Sequence, residues 1–398
     1  MTQSVGARTG TKRVAKAILP RRAWQRLRAL RDDSGPLWRL VSSRRVAARL
    51  QAGVRRSRTT RPFADVDARS VSNTAQTILL DPWRAWVQRE TVAVFRGSAF
   101  VEPSGGWIVA SPAHLVTSCL IDSTSARRPS VRRYLEARIS ARRQVRYEPR
   151  LVHLRDWGEG NYWHFLMDIL GGRLRLADEA GVDADMPLLL GRRALDQAFV
   201  QEILRTTALA RRRLVIQEEE FIHSREVIHF ETPRHSLEST DFILKYLAAS
   251  GGVASGNKRV FLGRGPSSRR HLANLTEIED ICRRWRFETI DTGNMSVAEQ
   301  ITLFSQVRYL VGIHGAGLTN IIFRRGAPLS LLEIFPTTTY LGRTGRFYPP
   351  PPHYFWLSQA CGFCYEAIFG EVDTPGDFET AFRIDPVAME LRIKEMLE

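Results

Sequence analysis

The chain is 398 residues long, 43% of them hydrophobic, which predicts two domains and an extension rather than one ordinary core. Its formal net charge of +16 is unevenly placed: residues 1–62 hold 17 Lys/Arg against Asp32 and Asp33, while the remainder, with 41 basic and 40 acidic residues, is close to neutral. The basicity belongs to an arm with no basic, aromatic-rich sheet beside it, which argues against a nucleic-acid enzyme.

Within the arm, "KRVAKAILPRRAWQRLRALRDD" (12–33) spaces apolar residues at helical intervals among arginines. Such a segment suits an anionic membrane surface, or else forms a solvated, partly disordered tail. No run of about 18 apolar residues occurs, and the N-terminus has no apolar centre of a secretory signal. The expectation is a cytoplasmic protein, peripheral on the inner membrane face through its arm. Four cysteines are too few for a disulfide scaffold, and Cys361-Gly-Phe-Cys364, without a histidine cluster, reads as reduced thiols at a helix end.

After a polar linker (69–76), residues 77–155 carry short apolar runs such as "GWIVAS" and "HLVTSCLI", read as strands. "NYWHFLMDILGGRLRLADEAG" (161–181) has the helical period and ends in glycine. There follow "MPLLLG" (strand), "LDQAFVQEILRTTAL" (helix), "RRLVIQ" and "EVIHFET" (strands), an alternation that implies an open α/β sheet. Beyond residue 251 four strands are expected in "KRVFLGR", "RFETID", "RYLVGI" and "LSLLEIF". They alternate with helices opened by two capping boxes, Thr276-x-x-Glu279 and Ser296-x-x-Glu299. The near-continuous apolar character of these strands predicts a doubly wound parallel sheet. "PPPP" (349–352) precedes a last helix. The expected organisation is an arm (1–62), an α/β domain (77–250), a Rossmann-like domain (251–375) and a C-terminal helix packing back (376–398).

Three segments carry possible chemistry. In "IHGAGLTN" (313–320) a strand ends and a helix begins, the place where open α/β sheets bind ligands. Gly315, Ala316 and Gly317 would let backbone approach a phosphate, with His314, Thr319 and Asn320 as donors. A hydrolase oxyanion loop is excluded, since no Gly-x-Ser-x-Gly nucleophile elbow exists in the chain. In the helix at 161–168, Asn161, His164 and Asp168 form a polar stripe on an otherwise apolar element. A carboxylate or imidazole there is a candidate general base. In "GRGPSSRRHLANLTE" (263–277), Arg264, Arg269 and Arg270, with Asn274, stand after a strand, where arginine forks pair with phosphate. Asp65-Val-Asp67 and Asp183-Ala-Asp185 are weak metal candidates beside an arm and in a turn.

Together these segments resemble glycosyltransferase family 61, whose members include capsular polysaccharide biosynthesis-type proteins. The resemblance rests on "NYWHFLMD" (161–168), the arginine segment 263–277, "IHGAGLTN" and "LLEIFP" (331–336), and covers roughly 150–370. Leu275, Ile313 and Gly171-Gly172 depart from the family pattern of Arg-x-x-Asn-Glu, Pro-His-Gly-Ala-Gly and Pro-Arg-Leu. The resemblance implies two Rossmann-like domains facing each other (the GT-B arrangement) and an inverting, metal-independent glycosyltransferase. It would move a sugar from a nucleotide-sugar donor to a glycan or glycolipid hydroxyl in cell-surface polysaccharide synthesis, with no cofactor.

On that basis Asp168 is the expected base, with His164 as the alternative, and Asn161, Tyr162 and Trp163 lie on the acceptor side. Arg264, Arg270, Asn274, His314, Gly315, Ala316, Gly317, Thr319, Asn320 and Glu333 bind the donor, Glu333 through ribose or sugar hydroxyls. The competing expectation is a non-catalytic carbohydrate- or nucleotide-binding scaffold of the same fold.

Overall fold

A computed structural model describes residues 39–41, 53–60, 75–83, 88–111, 114–116, 145–232, 236–249, 251–264, 269–341 and 347–398. The amphipathic stretch 12–33, Asp65-Val-Asp67 and most of the linker 69–76 lie outside them. Among the described residues no helix is long and apolar enough to cross a membrane.

The first sheet has ten strands: β1 (Arg39–Val41), β2 (Gly53–Thr60), β3 (Gln88–Val101), β4 (Ile108–Ser111), β5 (His114–Val116), β6 (Val145–Tyr147), β7 (Arg150–His153), β8 (Leu188–Gly191), β9 (Leu214–Gln217) and β10 (Phe221–Glu231). Their order is β1-β5-β4-β3-β10-β7-β8-β9, with β2 also on β3 and β6 on β10. β7, β8 and β9 are parallel and joined through helices α1 (His164–Leu174) and α2 (Ala198–Thr206). β8 is buried along its whole length, as suits a parallel strand.

The rest of this sheet departs from a Rossmann-like unit. β2, β4 and β10 pair antiparallel with β3, so the sheet is mixed. For β3 and β4 the cause is local: the short connection 102–107 is a turn closed by the Glu102 carboxylate, which accepts from Ser104 N (2.8 Å) and Gly105 N (2.9 Å), and a turn of this length returns the chain antiparallel. β2 also draws residues 53–60 of the basic arm into strand pairing, so that portion is neither tail nor amphipathic helix.

α1 is wound in the wide π form and continues into a helical turn, Arg175–Glu179. It packs closely on α3 (Leu237–Tyr246). A Cβ at Gly171 would stand 2.7 Å from Ile243 Cδ1 and 3.0 Å from the Ser239 carbonyl oxygen. Gly171, the first of the two glycines that break the family's Pro-Arg-Leu, is therefore what lets the two helices touch.

The second sheet is parallel throughout, in the order β12-β11-β13-β14-β17. It consists of β11 (Lys258–Leu262), β12 (Glu288–Ile290), β13 (Val307–Ile313), β14 (Ser330–Phe335) and β17 (Cys364–Phe369). Two small hairpins, β15 (Tyr340–Leu341) with β16 (Phe347–Tyr348) and β18 (Glu371–Val372) with β19 (Phe382–Arg383), decorate its carboxyl side of the chain. Helices α4 (Leu275–Arg284), α5 (Val297–Phe304), α6 (Ala316–Arg324, a 3₁₀ helix), α7 (His353–Cys361) and α8 (Pro386–Leu397) connect and flank the strands. The four expected strands are present, and β17 is a fifth, an edge strand in register with β14 from Ser330 to Phe335.

The Ser296–Glu299 capping box forms in both directions. The Thr276–Glu279 box does not. Asn274 takes the cap position of α4, and its amide instead reaches Glu277 Oε2 (3.1 Å) and the Ile384 carbonyl oxygen (2.9 Å). α8 lays Met389 and Ile393 against Ile278 and Ile281 of α4. One apolar core runs from Val92 and Leu154 of the first sheet through α1 to Leu318, Ile321 and Tyr354 beside the second, so the two sheets share packing.

Candidate active site

The strand order of the second sheet fixes where a ligand can enter. From β11 the chain runs through α4 to β12 on one side, and from β13 through α6 to β14 on the other. The direction of winding thus reverses between β11 and β13. Ligands of open α/β sheets bind in the crevice at the carboxyl ends of such a pair. Here those ends are Gly263–Arg264 and His314–Gly317.

Arg264 leans across this crevice onto Gly315, where a Cβ would fall inside the guanidinium. Gly315 is extended (φ 166°), so the requirement is for space rather than for an unusual backbone. Burial, reinforced by the nearby Arg270, pulls Arg264 down to about 10. Arg270 has a left-handed backbone (φ 59°) and lies over the Phe378 ring at 5.6 Å. Its Nε is buried without a hydrogen-bond partner among the described residues, and Glu379 stands off at 3.9 Å. Two neighbouring guanidiniums with an unused N–H make a site for an anion. The first intrahelical bond of α6 is Leu318 N to the Gly315 carbonyl oxygen (3.0 Å), which leaves the Ala316 and Gly317 N–H groups at the free end of the helix.

His314 lies beneath the arginines, 5% exposed, between the rings of Phe335, Tyr354 and Phe378. Its Nδ1 is 2.5 Å from Glu333 Oε1, and Tyr365 OH donates to Glu333 Oε2 (2.7 Å). Burial, with Arg270 adding to it, holds His314 well below the usual imidazole range. Burial likewise pushes the Glu333 carboxyl up to about 8. His314 is a neutral polar group at this site. Glu333, expected to bind hydroxyls, is fully buried with both oxygens engaged, one at His314 and one at Tyr365.

Three other expected donor contacts are taken up internally. Thr319 Oγ1 donates to the Ala316 carbonyl oxygen (2.6 Å). Asn320 donates to Gln300 Oε1 (2.7 Å) and the Gly317 carbonyl oxygen (3.1 Å), and accepts from Tyr162 OH (2.9 Å). Asn274 ties α4 to the start of α8. Thr319 and Asn320 are buried and Asn274 is half-buried, and each side chain already has hydrogen-bond partners within the protein.

The other half of the site is at the start of α1. Asn161 caps that helix, its Oδ1 accepting from Trp163 N (2.9 Å), so the expected three-residue stripe reduces to two. His164 Nδ1 lies 2.6 Å from Asp168 Oδ2. The Asp168 side chain is fully buried, whereas that of His164 is 18% exposed. Asp168 Oδ1 has no hydrogen-bond partner among the described residues. The imidazole, not the carboxylate, is the member that reaches the opening. Its ring lies flat on the preceding turn because residue 158 is glycine: a Cβ there would stand 2.5 Å from His164 Cδ2.

The expected acceptor-side aromatics join the two halves. Tyr162 binds Asn320 of α6, and Trp163 is buried and stacks on His353 at 5.0 Å. The His353 ring is 6.4 Å from that of His314. The sequence pattern missed His353 and Tyr354, whose OH donates to the Gly315 carbonyl oxygen (2.7 Å), and also Tyr365. The one available signal was "PPPPHYFW", where a rigid turn delivers a histidine to a helix start. Among the described residues no group of three metal-type ligands occurs, and Asp183 spends its Oδ1 on Asp185 N (2.9 Å) in an exposed turn.

Residues 162–329 match the family model described as Glycosyltransferase 61. No curated protein matches the chain. The matched span runs from Tyr162, at the start of α1, to the residue before β14, and so holds both the His164–Asp168 pair and the arginine crevice. Over that span, which is less than half of the chain, the protein is similar to glycosyltransferase family 61, a family of glycosyl-transfer enzymes.

Proposed function

We propose that the protein is an inverting, metal-independent glycosyltransferase that moves a sugar from a nucleotide-sugar to a hydroxyl of a glycan or glycolipid, working between two facing units of GT-B type. The observation that carries this is the pairing of Arg264 and Arg270 at the switch point of the parallel sheet, linked through His353 and Trp163 to a histidine held by a buried aspartate. The diphosphate lies across the arginines and the N-terminus of α6, and His314 donates or accepts one hydrogen bond beside it.

In the transfer step the acceptor oxygen attacks the anomeric carbon while its proton passes to His164 Nε2. The bond from that carbon to the diphosphate oxygen breaks, and the diphosphate leaves with the electron pair from the opposite face. A single displacement of this kind inverts the anomeric centre. Asp168, at Nδ1, fixes the ring and stabilises the imidazolium, so it serves the base rather than acting as one. Charge growing on the leaving diphosphate meets two guanidiniums and the helix end, the electrostatic task a metal performs elsewhere. A cell-surface polysaccharide or its lipid-linked precursor suits the resemblance, with the basic arm on an anionic membrane.

The test is to incubate the full chain, in EDTA, with UDP-, GDP- and dTDP-sugars and follow nucleoside diphosphate release. One nucleotide class is expected to be turned over. Release from none of them, with or without added acceptor, overturns the reading.

A further inference from the structure

The residue beside the proposed base is a tryptophan that the transfer chemistry has not used. Trp157 is 36% exposed, and its ring centroid is 5.6 Å from that of His164, tilted by 54°. An exposed indole is common on protein surfaces and by itself means little. This one is held unusually firmly.

Its two neighbours are both fixed. Asp156, fully buried, pairs with the equally buried Arg173 (2.8 Å) and accepts from Gly158 N (2.9 Å). Glu159 N donates to the Asp156 carbonyl oxygen (3.2 Å), and Asn161 N to that of Gly158 (2.8 Å). Glu159 is itself buried against Arg155 (2.9 Å). Arg173 comes from α1, the same helix that carries His164 and Asp168. The turn 156–161 is thus bolted to the helix of the proposed base, and Gly158 lets it lie against the His164 ring. Buried ion pairs of this kind contribute little net stability, but they hold a geometry. What they hold is a partly exposed indole next to His164, the member of the dyad that reaches solvent.

We infer that Trp157 is the acceptor platform: one face of the acceptor's sugar ring lies on the indole and so presents its hydroxyl to His164 Nε2. A pyranose has an apolar face of C–H bonds, slightly positive, which matches the negative face of an aromatic ring, while its hydroxyls project from the edge. The inference rests on the proposed glycosyl transfer for the identity of the ligand, and on Trp157 and its turn for the place.

Octyl β-D-glucopyranoside, galactopyranoside, mannopyranoside and 2-acetamido-2-deoxyglucopyranoside, each below its micelle concentration, are suitable probes. Saturation-transfer NMR with the full chain reads whether sugar-ring protons contact the protein. At least one glycoside should give ring-proton transfer with the wild type, with Trp157→Phe and with His164→Ala, and lose it at least tenfold with Trp157→Ala. No ring-proton transfer in the wild type, or undiminished transfer in Trp157→Ala, overturns the inference. Failure of the base assignment is seen separately, as nucleotide-sugar turnover surviving in His164→Ala.

Discussion

The protein builds the same motif twice, a histidine Nδ1 against a carboxylate, and gives the two copies different surroundings. His164 and Asp168 are 2.6 Å apart on one helix, with the imidazole partly in the open and one carboxylate oxygen without a partner among the described residues. His314, just past the end of β13, and Glu333 of the neighbouring β14 are 2.5 Å apart, both buried, with the second carboxylate oxygen taken by Tyr365. Under the arginines an imidazolium would add a third positive charge without water to screen it, and burial keeps His314 neutral. A histidine kept neutral suits hydrogen bonding to a ligand. One with an exposed edge and a carboxylate behind it suits moving a proton. Access, not the pair itself, separates the two roles.

The largest effect should come from breaking the first pair. Asp168→Asn is expected to lower turnover by about 10²–10⁴-fold, since the amide no longer stabilises an imidazolium, while nucleoside diphosphate binding stays nearly constant. Steady-state turnover beside calorimetric binding checks this. Next comes the crevice of the second pair. Arg270→Ala removes a guanidinium with an unused N–H and should weaken nucleoside diphosphate binding by about 10–100-fold, the scale of one charge-assisted hydrogen bond. Gly315→Val should act through Arg264, pushing the guanidinium off the crevice, and weaken the same binding by roughly tenfold with a well-folded protein. An unchanged dissociation constant in both variants would remove the crevice as the diphosphate site.

A smaller effect is expected where the two halves are tied. Tyr162→Phe leaves the buried Asn320 carbonyl without its donor, a loss of about 1–3 kcal/mol that lowers the melting temperature and spares nucleotide binding.

The smallest concerns pH. Glu333 holds its proton in the folded chain to about pH 8 but, once exposed, only to its ordinary 4.5. The folded state therefore binds the extra proton between those values, and this group's share of stability is full below 4.5 and is lost as pH rises towards 8. His314 acts oppositely: burial favours its neutral form, so its share is lost as pH falls below 6.5. Glu333→Gln keeps both hydrogen bonds and removes the first slope. Its melting temperature relative to wild type should climb from pH 5 to pH 8, and a constant difference would contradict the buried protonated carboxyl.

Much of the second sheet was legible because parallel strands are apolar along their length and its loops carry glycine at the strand ends. β17 was not, since an edge strand with Cys364 and Glu366 half in solvent lacks that signature. The antiparallel part of the first sheet was also hidden. Its β3–β4 pair is set by a turn that a buried Glu102 closes, and β2 and β10 reach β3 from far along the chain, none of which local periodicity reveals. At the site, the residue types of "HGAGLTN" and "NYWHFLMD" were readable, but their division of labour was not. Thr319, Asn320, Asn274 and Glu333 carry the same polar groups as donor-binding residues, and only the structure shows the partners each holds within the protein. His353 and Trp157 were invisible for the opposite reason, each being a single aromatic made relevant by a neighbour distant in sequence or held by a buried ion pair.

The central claim, that one histidine moves the proton and the other helps hold the donor, is tested most directly by measuring turnover and nucleoside diphosphate affinity together in His164→Ala and His314→Ala. The account predicts that His164→Ala loses turnover at unchanged affinity, while His314→Ala loses affinity. Full turnover in His164→Ala, or the same loss of both quantities in the two variants, would contradict it.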